Sequence, residues 1–282
     1  MSKNLVDLAV ILDLELIELN LFRGKSPSAS SRVVFGGHVI GQALVSACQT
    51  VEGRLPHSLH CCFIRPGDPQ LPIIYRVERL RDDKRYSTRC VVAIQHGIAI
   101  CSTMISFHAD EQGAIDHQDK MPDVAGAERL ISEAVSKAPT FVETSEFIRR
   151  NYGVELVPVE CGRYLGQRID DGRLHCWMKI GKRLPDDPAL HACALAYASD
   201  YSLLDGVTAR HGRAPFDRRI ALVSLDHSMW FHRRFRADDW LLYVHESPSA
   251  QHGRGLARGL IFTPDGRLVA SVAQEGSVRE RP

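Results

Sequence analysis

Two segments of the chain are apolar around the whole circumference of a helix. These segments, FGGHVIGQALVSACQ and ALHACALAYASDYSLL, combine aliphatic residues with many Gly, Ala and Ser. A helix without a polar face is buried on all sides, and small side chains allow other elements to wrap it closely. The pattern therefore predicts two fully buried helices.

Short runs rich in Val, Ile, Tyr and Phe follow each helix and are separated by turn sequences such as RPGDPQLP, QHG and TPDG. Four runs follow each helix: HSLHCCFI, PIIYRVERL, YSTRCVVAIQ and IAICSTMISFH, then IALVSLDHSMWFH, WLLYVHES, GRGLARGLIFT and RLVASVAQEG. No helix-length pattern separates neighbouring runs, so we expect antiparallel sheets.

The two halves of the chain repeat each other at offsets of 168 to 170 residues. The matches are His57-Ser58-Leu59 with His227-Ser228-Met229, Tyr75 and Glu78 with Tyr243 and Glu246, and residues 96–102 with 265–271. This period is too long for a solenoid repeat and indicates two copies of one domain. We expect an α+β chain with domains at 1–110 and 161–282, and a polar linker at 111–160 with a short helix around 128–137.

Composition and charge narrow the range of partners. The 35 basic and 34 acidic residues leave a net charge of +1, which argues against nucleic-acid binding. Four acids interrupt the apolar segment 5–22, and each would cost about 2.5–3.5 kcal/mol at bilayer depth, so we expect neither a membrane span nor a signal peptide. The eight cysteines lack Cys-x-x-Cys spacing, which favours reduced thiols over a disulfide or zinc framework.

Three polar residues lie where the pattern predicts burial. Asp200 lies near the end of the second apolar helix, Gln274 continues the inward-facing row of the last strand, and Ser224 shares a strand face with Leu222 and Asp226. A solvated carboxylate at a helix end and an ordinary strand hydroxyl are the simpler interpretations of Asp200 and Ser224. Together, however, a carboxylate, an amide and a hydroxyl can activate and orient a water.

Several strings, in order along the chain, carry a family resemblance: FGGHVIGQAL, RPGDPQLPIIYRVERLRDDKRYSTR, LAYASDY, LDHSMWFHRRFRADDWLLY, ARGLIFTPDGRLVAS and QEGSVR. From about residue 22 to residue 279 the sequence resembles the acyl-CoA thioesterase II family, including its peroxisomal members. The resemblance implies a double hotdog fold, in which each of two tandem units wraps a sheet around a helix. It also implies that Asp200, Ser224 and Gln274 form the water-activating site, with Ser224 where some members carry Thr.

The function implied is hydrolysis of medium- to long-chain acyl-CoA to fatty acid and CoA by direct attack of an Asp200-activated water, without metal or cofactor. The resemblance further suggests a homo-oligomer, either a dimer or a tetramer. The sequence Glu280-Arg281-Pro282 differs from a Ser-Lys-Leu peroxisomal address, so we expect a cytoplasmic enzyme.

Other readings of the sequence remain open or are weaker. A hotdog-fold enoyl-CoA hydratase or dehydratase and a non-catalytic acyl-CoA-binding module share the fold and the ligand. Gly36 and Gly37 either expose helix N–H groups to an oxyanion or allow tight helix packing. For His57, His60, Cys61 and Cys62, buried or rim positions are favoured over a metal site, because neighbouring strand residues such as Cys61 and Cys62 face opposite sides. A Gly-x-Ser-x-Gly elbow is absent from the sequence, which disfavours an acyl-enzyme route.

Overall fold

The computed structural model describes residues 6–26, 33–137, 139–215 and 217–281, apart from the side chains of residues 134–141 and 164. The helices are α1 Leu8–Ile11, α2 Gly36–Cys48, α3 Ala127–Lys137, α4 Pro139–Tyr152, α5 Pro188–Ser199 and α6 Asp205–Ala209, with a 3-10 turn at Cys161–Leu165. The strands are β1 Glu15–Glu18, β2 Leu21–Gly24, β3 Leu55–Phe63, β4 Ile73–Asp82, β5 Tyr86–Gln95, β6 Ile98–His108, β7 Val154–Pro158, β8 Leu174–Ile180, β9 Ile220–Ser224, β10 Asp226–Phe231, β11 Leu241–Gln251, β12 Arg254–Phe262 and β13 Leu268–Glu280.

The strands form one continuous antiparallel sheet in the order β1-β2-β4-β5-β6-β3-β10-β13-β12-β11-β8-β7, with β9 paired to the end of β13. The order β2-β4-β5-β6-β3 is mirrored by β8-β11-β12-β13-β10 about the β3·β10 junction. At this junction Leu59 pairs with Met229, its own equivalent in the internal repeat. The repeat therefore becomes an approximate twofold relation between two helix-in-sheet units, as the double hotdog expectation requires.

Helices α2 and α5 pack against each other inside the sheet, and nearly every side chain of both is buried. A Cβ on Gly41 would lie 3.1 Å from the Tyr197 Cβ, so a small residue at this position brings the two helices close together. The repeat-related tyrosines each reach a helix, since Tyr75 Oη donates to Gln42 Oε1 (2.9 Å) and Tyr243 Oη donates to the Ser199 carbonyl (3.2 Å).

Most predicted elements are confirmed, and the differences have physical reasons. Strand β8 was not predicted, because both of its faces are covered and its sequence does not alternate between apolar and polar residues. Cys176 faces the core, while Trp177 donates its indole N–H to the Ala125 carbonyl of the connecting segment. Within that segment α3 matches the expected helix at 128–137, and β7 pairs with β8 at the sheet edge. The long run IALVSLDHSMWFH divides into β9 and β10, with a break at Leu225.

Two further findings concern the helices and the cysteines. None of the helices in the described parts of the chain is long and apolar enough to cross a membrane. All eight cysteines, each within those parts, are free thiols.

The buried His38 of α2 makes stability depend on pH. Burial lowers the pKa of His38 from 6.5 to about 4, so the unfolded chain binds a proton more readily than the folded chain between these values. Stability is then lost as the pH falls through this window. We expect His38 to contribute a loss of about 2 kcal/mol in the free energy of unfolding between pH 7 and pH 5.

Urea unfolding at both pH values checks this expectation, with His38→Gln as the non-titrating variant and His117→Gln, at an exposed histidine, as the control. His38→Gln should flatten the pH dependence relative to wild type, whereas His117→Gln should not. Identical pH dependence in all three proteins would contradict the assignment.

Candidate active site

Asp200 lies at the C-terminal end of α5 with its side chain only 3% exposed. A solvated carboxylate is therefore the wrong interpretation of this residue. The negative end of a helix dipole and the loss of water both disfavour a carboxylate at this point. Such a group persists in a fold only when donors compensate for both effects.

Three donors among the described residues meet the Asp200 carboxylate. The Gly37 N–H donates to Oδ2 at 2.7 Å, and the Gln274 amide Nε2 donates to Oδ1 at 2.7 Å. The Ser224 hydroxyl lies 3.4 Å from Oδ1. Gln274 Nε2 also donates to Ser224 Oγ at 2.7 Å. The three side chains singled out from the sequence thus come together, and α2 of the first half contributes a fourth group.

Asp200 also completes the N-terminus of α2. Phe35 occupies the N-cap position and offers no side-chain hydrogen bond, so the first N–H groups of α2 need another acceptor. The carboxylate of Asp200 supplies it from the other helix, and the positive end of α2 favours its charge. The Gly37 N–H is therefore committed to Asp200 in this structure.

The glycines at the start of α2 are needed for this close approach. A Cβ on Gly37 would lie well inside van der Waals contact of the Tyr197 carbonyl oxygen, and a Cβ on Gly36 would lie 2.7 Å from Asp200 Oδ2. Tight helix packing, one of the two roles expected for these glycines, is thus supported by the geometry.

A break between β9 and β10 determines which side chains face Asp200. Ser224 pairs with Gly276, whereas Ser228 pairs with Ala273, so the register against β13 shifts by one residue. The expectation that Ser224 shares a face with Asp226 is therefore wrong, and the Asp226 carboxylate instead accepts the Glu275 N–H at 2.8 Å.

The same shift turns His227 inward. His227 is fully buried, and its Nδ1 lies 3.8 Å from Asp200 Oδ1. Sequence reasoning missed this residue because strict alternation assigns positions 224 and 227 to opposite faces. A register break has no periodicity of its own, so no pattern in the sequence marked it.

Burial controls protonation around the carboxylate. Burial lowers the pKa of His227, and the Asp200 charge and the nearby Gln274 amide offset only part of this shift. Burial and the Asp200 charge both raise the pKa of Tyr243 well above its usual value. Near pH 7 these two neighbours of Asp200 are neutral.

An aromatic cluster lies beside the site and consists of Phe35, Tyr152, Tyr197 and Tyr201. The Phe35 ring meets the other three edge-on, with ring centroids 5.2 to 6.0 Å apart. Phe35 directly precedes the glycines of α2, and Tyr201 directly follows Asp200. Three of the four rings are only partly buried, so the cluster offers apolar surface next to the carboxylate.

The donors leave one hydrogen-bonding position on the carboxylate unoccupied among the described residues. A carboxylate has about four lone-pair sites, and the three donors described above occupy three of them. A groove of about 680 Å³ lined by Trp230, Ser271 and Ala273 does not belong to this site. Ser271 and Ala273 alternate with the inward-facing Gln274, so the groove opens on the opposite face of the sheet.

Two family models match the chain. The one described as acyl-CoA thioesterase matches residues 143–277, and the one described as acyl-CoA thioesterase N-terminal domain matches residues 25–108.

Individual relatives match over nearly the whole chain. It is 38% identical to acyl-CoA thioesterase 2 of Haemophilus influenzae, with 99% of each chain covered. It is 42% identical to the solved acyl-CoA thioesterase II TesB2 of Mycobacterium marinum, with a TM-score of 0.79 and coverage of 98% and 99%. A hotdog-fold protein of Alicyclobacillus acidocaldarius aligns with a TM-score of 0.77 at 17% identity, covering 98% of this chain and all of the other, and supports the fold alone. The chain therefore belongs to the acyl-CoA thioesterase family, which consists of thioester hydrolases, and its double hotdog fold is confirmed.

Gly37→Ala tests the contact between the two halves. The added methyl group collides with the Tyr197 carbonyl, so α2 has to move away from α5 and the Gly37 N–H from Asp200. We expect at least a tenfold loss of thioesterase turnover, about the worth of one hydrogen bond to a charged group, and a lower melting temperature. Gly113→Ala, where a Cβ meets only ordinary contacts at 3.6 Å or more, is the matched control. Wild-type turnover and melting temperature for Gly37→Ala would refute the role of this approach.

Proposed function

We propose that this protein hydrolyses acyl-CoA to a free acid and CoA by direct attack of a water that Asp200 deprotonates. The observation that carries the proposal is the buried Asp200 carboxylate, held by Gly37, Gln274 and Ser224 with one hydrogen-bonding position left for a water. Membership of the acyl-CoA thioesterase family supplies the substrate class. No acyl-enzyme intermediate is required, because the water itself attacks the thioester carbonyl.

The three side chains have different roles in this proposal. Asp200 takes the proton from water, since a neutral amide or hydroxyl cannot do so near pH 7. Gln274 fixes both the carboxylate and the Ser224 hydroxyl, and the remaining lone pair of Ser224 Oγ helps to hold the water against the carbonyl carbon. Proton transfer and positioning together lower the barrier to attack.

The acyl chain is proposed to be of medium to long length. The partly buried aromatic cluster of Phe35, Tyr152, Tyr197 and Tyr201 supports this choice, since it places apolar surface beside Asp200. A longer chain buries more of this surface and binds more tightly, by about 0.8 kcal/mol for each buried methylene.

We also propose one active site per chain. Gln49 is the C-cap of α2 as Asp200 is of α5, and the equivalent pairings of Ser58 with Ser106 and of Ser228 with Ala273 place Phe107 in the position of Gln274. Neither residue can act as a base. Hotdog units at 1–110 and 161–282 then share a single site, and the segment 111–160 joins them while lending β7 to the sheet edge.

Assembly and compartment complete the proposal. We propose a homo-oligomer, either a dimer or a tetramer, which light scattering coupled to size-exclusion chromatography measures directly.

We propose a cytoplasmic location, which the eight free thiols support because disulfides are rare in reducing compartments. Cell fractionation tests the location.

The first experiment follows thioester loss across a graded acyl-CoA series by ultraviolet absorbance, for wild type and Asp200→Asn. We expect Asp200→Asn to lower kcat by roughly 10²–10⁴-fold, the usual effect of removing a general base. Asp187→Asn is the matched control, because it makes the same change at the other end of α5, where Asn caps a helix as well as Asp.

Equal turnover in wild type and Asp200→Asn would refute the mechanism. Binding without CoA release would favour the acyl-CoA-binding module, and hydroxyacyl-CoA formation would favour the hydratase.

Ser224→Ala and Gln274→Ala test whether the three side chains hold one water. Each variant should lose less turnover than Asp200→Asn, and combining either one with Asp200→Asn should add little further loss. Kinetic barriers measured for the single and double variants provide the comparison. Strict additivity of the three effects would show that the side chains act independently.

A further inference from the structure

Two buried polar atoms beside Asp200 have no hydrogen-bond partner among the described residues. They are His227 Nδ1 and Gln274 Oε1. They belong to neighbouring strands. Ser228 pairs with Ala273 and Met229 with Val272, so the same antiparallel register places His227 opposite Gln274. Buried polar groups normally find partners, and here a nitrogen and an oxygen without partners face each other.

The charge of Asp200 fixes the orientation of the Gln274 amide. Nε2 carries two hydrogens, which donate to Asp200 Oδ1 and Ser224 Oγ at 2.7 Å each. If the amide were rotated by 180°, Oε1 would face the carboxylate and both hydrogen bonds donated by Nε2 would be lost. The observed orientation turns Oε1 away from Asp200, so it needs a donor from another side.

We propose that His227 is a positioning residue for this site, which rests on the function proposed above. Its neutral ring carries the proton on Nδ1 and donates it to Gln274 Oε1. Its Nε2 accepts the hydroxyl proton of Ser199, whose Oγ lies 3.0 Å away. Ser199, His227 and Gln274 then form one chain of hydrogen bonds that ends at Asp200 and Ser224.

The other tautomer of His227 is disfavoured by its neighbours. With the proton on Nε2, the lone pair of Nδ1 would face Gln274 Oε1 and would lie 3.8 Å from Asp200 Oδ1, so that three acceptors would converge without a proton. Ser199 does not distinguish the two tautomers, because its Oγ could accept from Nε2–H while it donates to the Ala196 carbonyl, also 3.0 Å away. The proposed tautomer resolves this conflict and satisfies both orphaned atoms.

His227 does not touch the water in this scheme, so it affects catalysis only by orienting Gln274. Without its donor the amide of Gln274 is free to turn, and the two bonds that hold Asp200 and Ser224 weaken. The expected signature is a lower kcat with little change in KM, because the acyl-CoA binding surface is untouched.

The kinetic test compares His227→Leu, which removes the donor, with His227→Asn, whose amide N–H substitutes for Nδ1–H. We expect His227→Leu to lower kcat by about tenfold or more, as for a buried acceptor left unpaired, with KM unchanged within about twofold. His227→Asn should recover most of that loss. His245→Leu is the matched control, since His245 is equally buried in a strand and also lies near a serine, Ser202.

A double-mutant cycle separates positioning from general packing. In a Gln274→Ala background, His227→Leu should cost less than about twofold further, because the amide that it orients is already gone. Additive losses, or wild-type kcat for His227→Leu, would overturn the proposal.

Nitrogen NMR of the wild-type protein gives a test that requires neither a catalytic assay nor a variant that folds correctly. We expect the His227 ring to be neutral at pH 7 with its proton on Nδ1, and Asp200→Asn need not alter this. A proton on Nε2 would refute the proposal even if Asp200→Asn is inactive. Conversely, an Nδ1 proton together with a fully active Asp200→Asn would refute the catalytic mechanism and leave the tautomer assignment standing.

Discussion

The carboxylate of Asp200 joins the C-terminal end of one buried helix to the N-terminal end of the other, and the rest of the structure is arranged around this contact. The contact requires α2 and α5 to lie antiparallel and very close, which Gly36 and Gly37 permit at the point of approach. In the sheet, the two halves of the chain meet where β3 pairs with β10. At the Asp200 contact, the unfavourable end of one helix dipole is offset by the favourable end of the other.

The two repeats form a scaffold of approximate twofold symmetry, but the proposed active site lies at only one of the two symmetry-related positions. Related residues such as Tyr75 and Tyr243 keep a structural role in both halves. Gln49 stands at the end of α2, whereas a buried carboxylate, an amide and a hydroxyl meet at the corresponding end of α5, where α2 begins. The first half contributes a backbone N–H there, so each half depends on the other for the proposed active site.

The site illustrates how a buried charge is kept available for chemistry. Its donors are backbone, amide and hydroxyl groups, which stabilise the carboxylate without neutralising it as an arginine or lysine partner would. Burial keeps the adjacent His227 and Tyr243 neutral near pH 7. The hydrogen bonds of this network have fixed directions, which in the proposed mechanism reduces the reorganisation needed when the water reacts.

The sequence alone determined the two buried helices, most strands, the repeat and the family, because these depend on local periodicity and on contiguous sequence motifs. It also singled out Asp200, Ser224 and Gln274, since a polar residue in an apolar row is conspicuous. The register break at Leu225, the inward turn of His227 and the bond from Gly37 N–H to Asp200 were decided only by tertiary structure. These features arise where segments far apart in the chain meet, and neither backbone groups nor register shifts leave a periodic trace in the sequence.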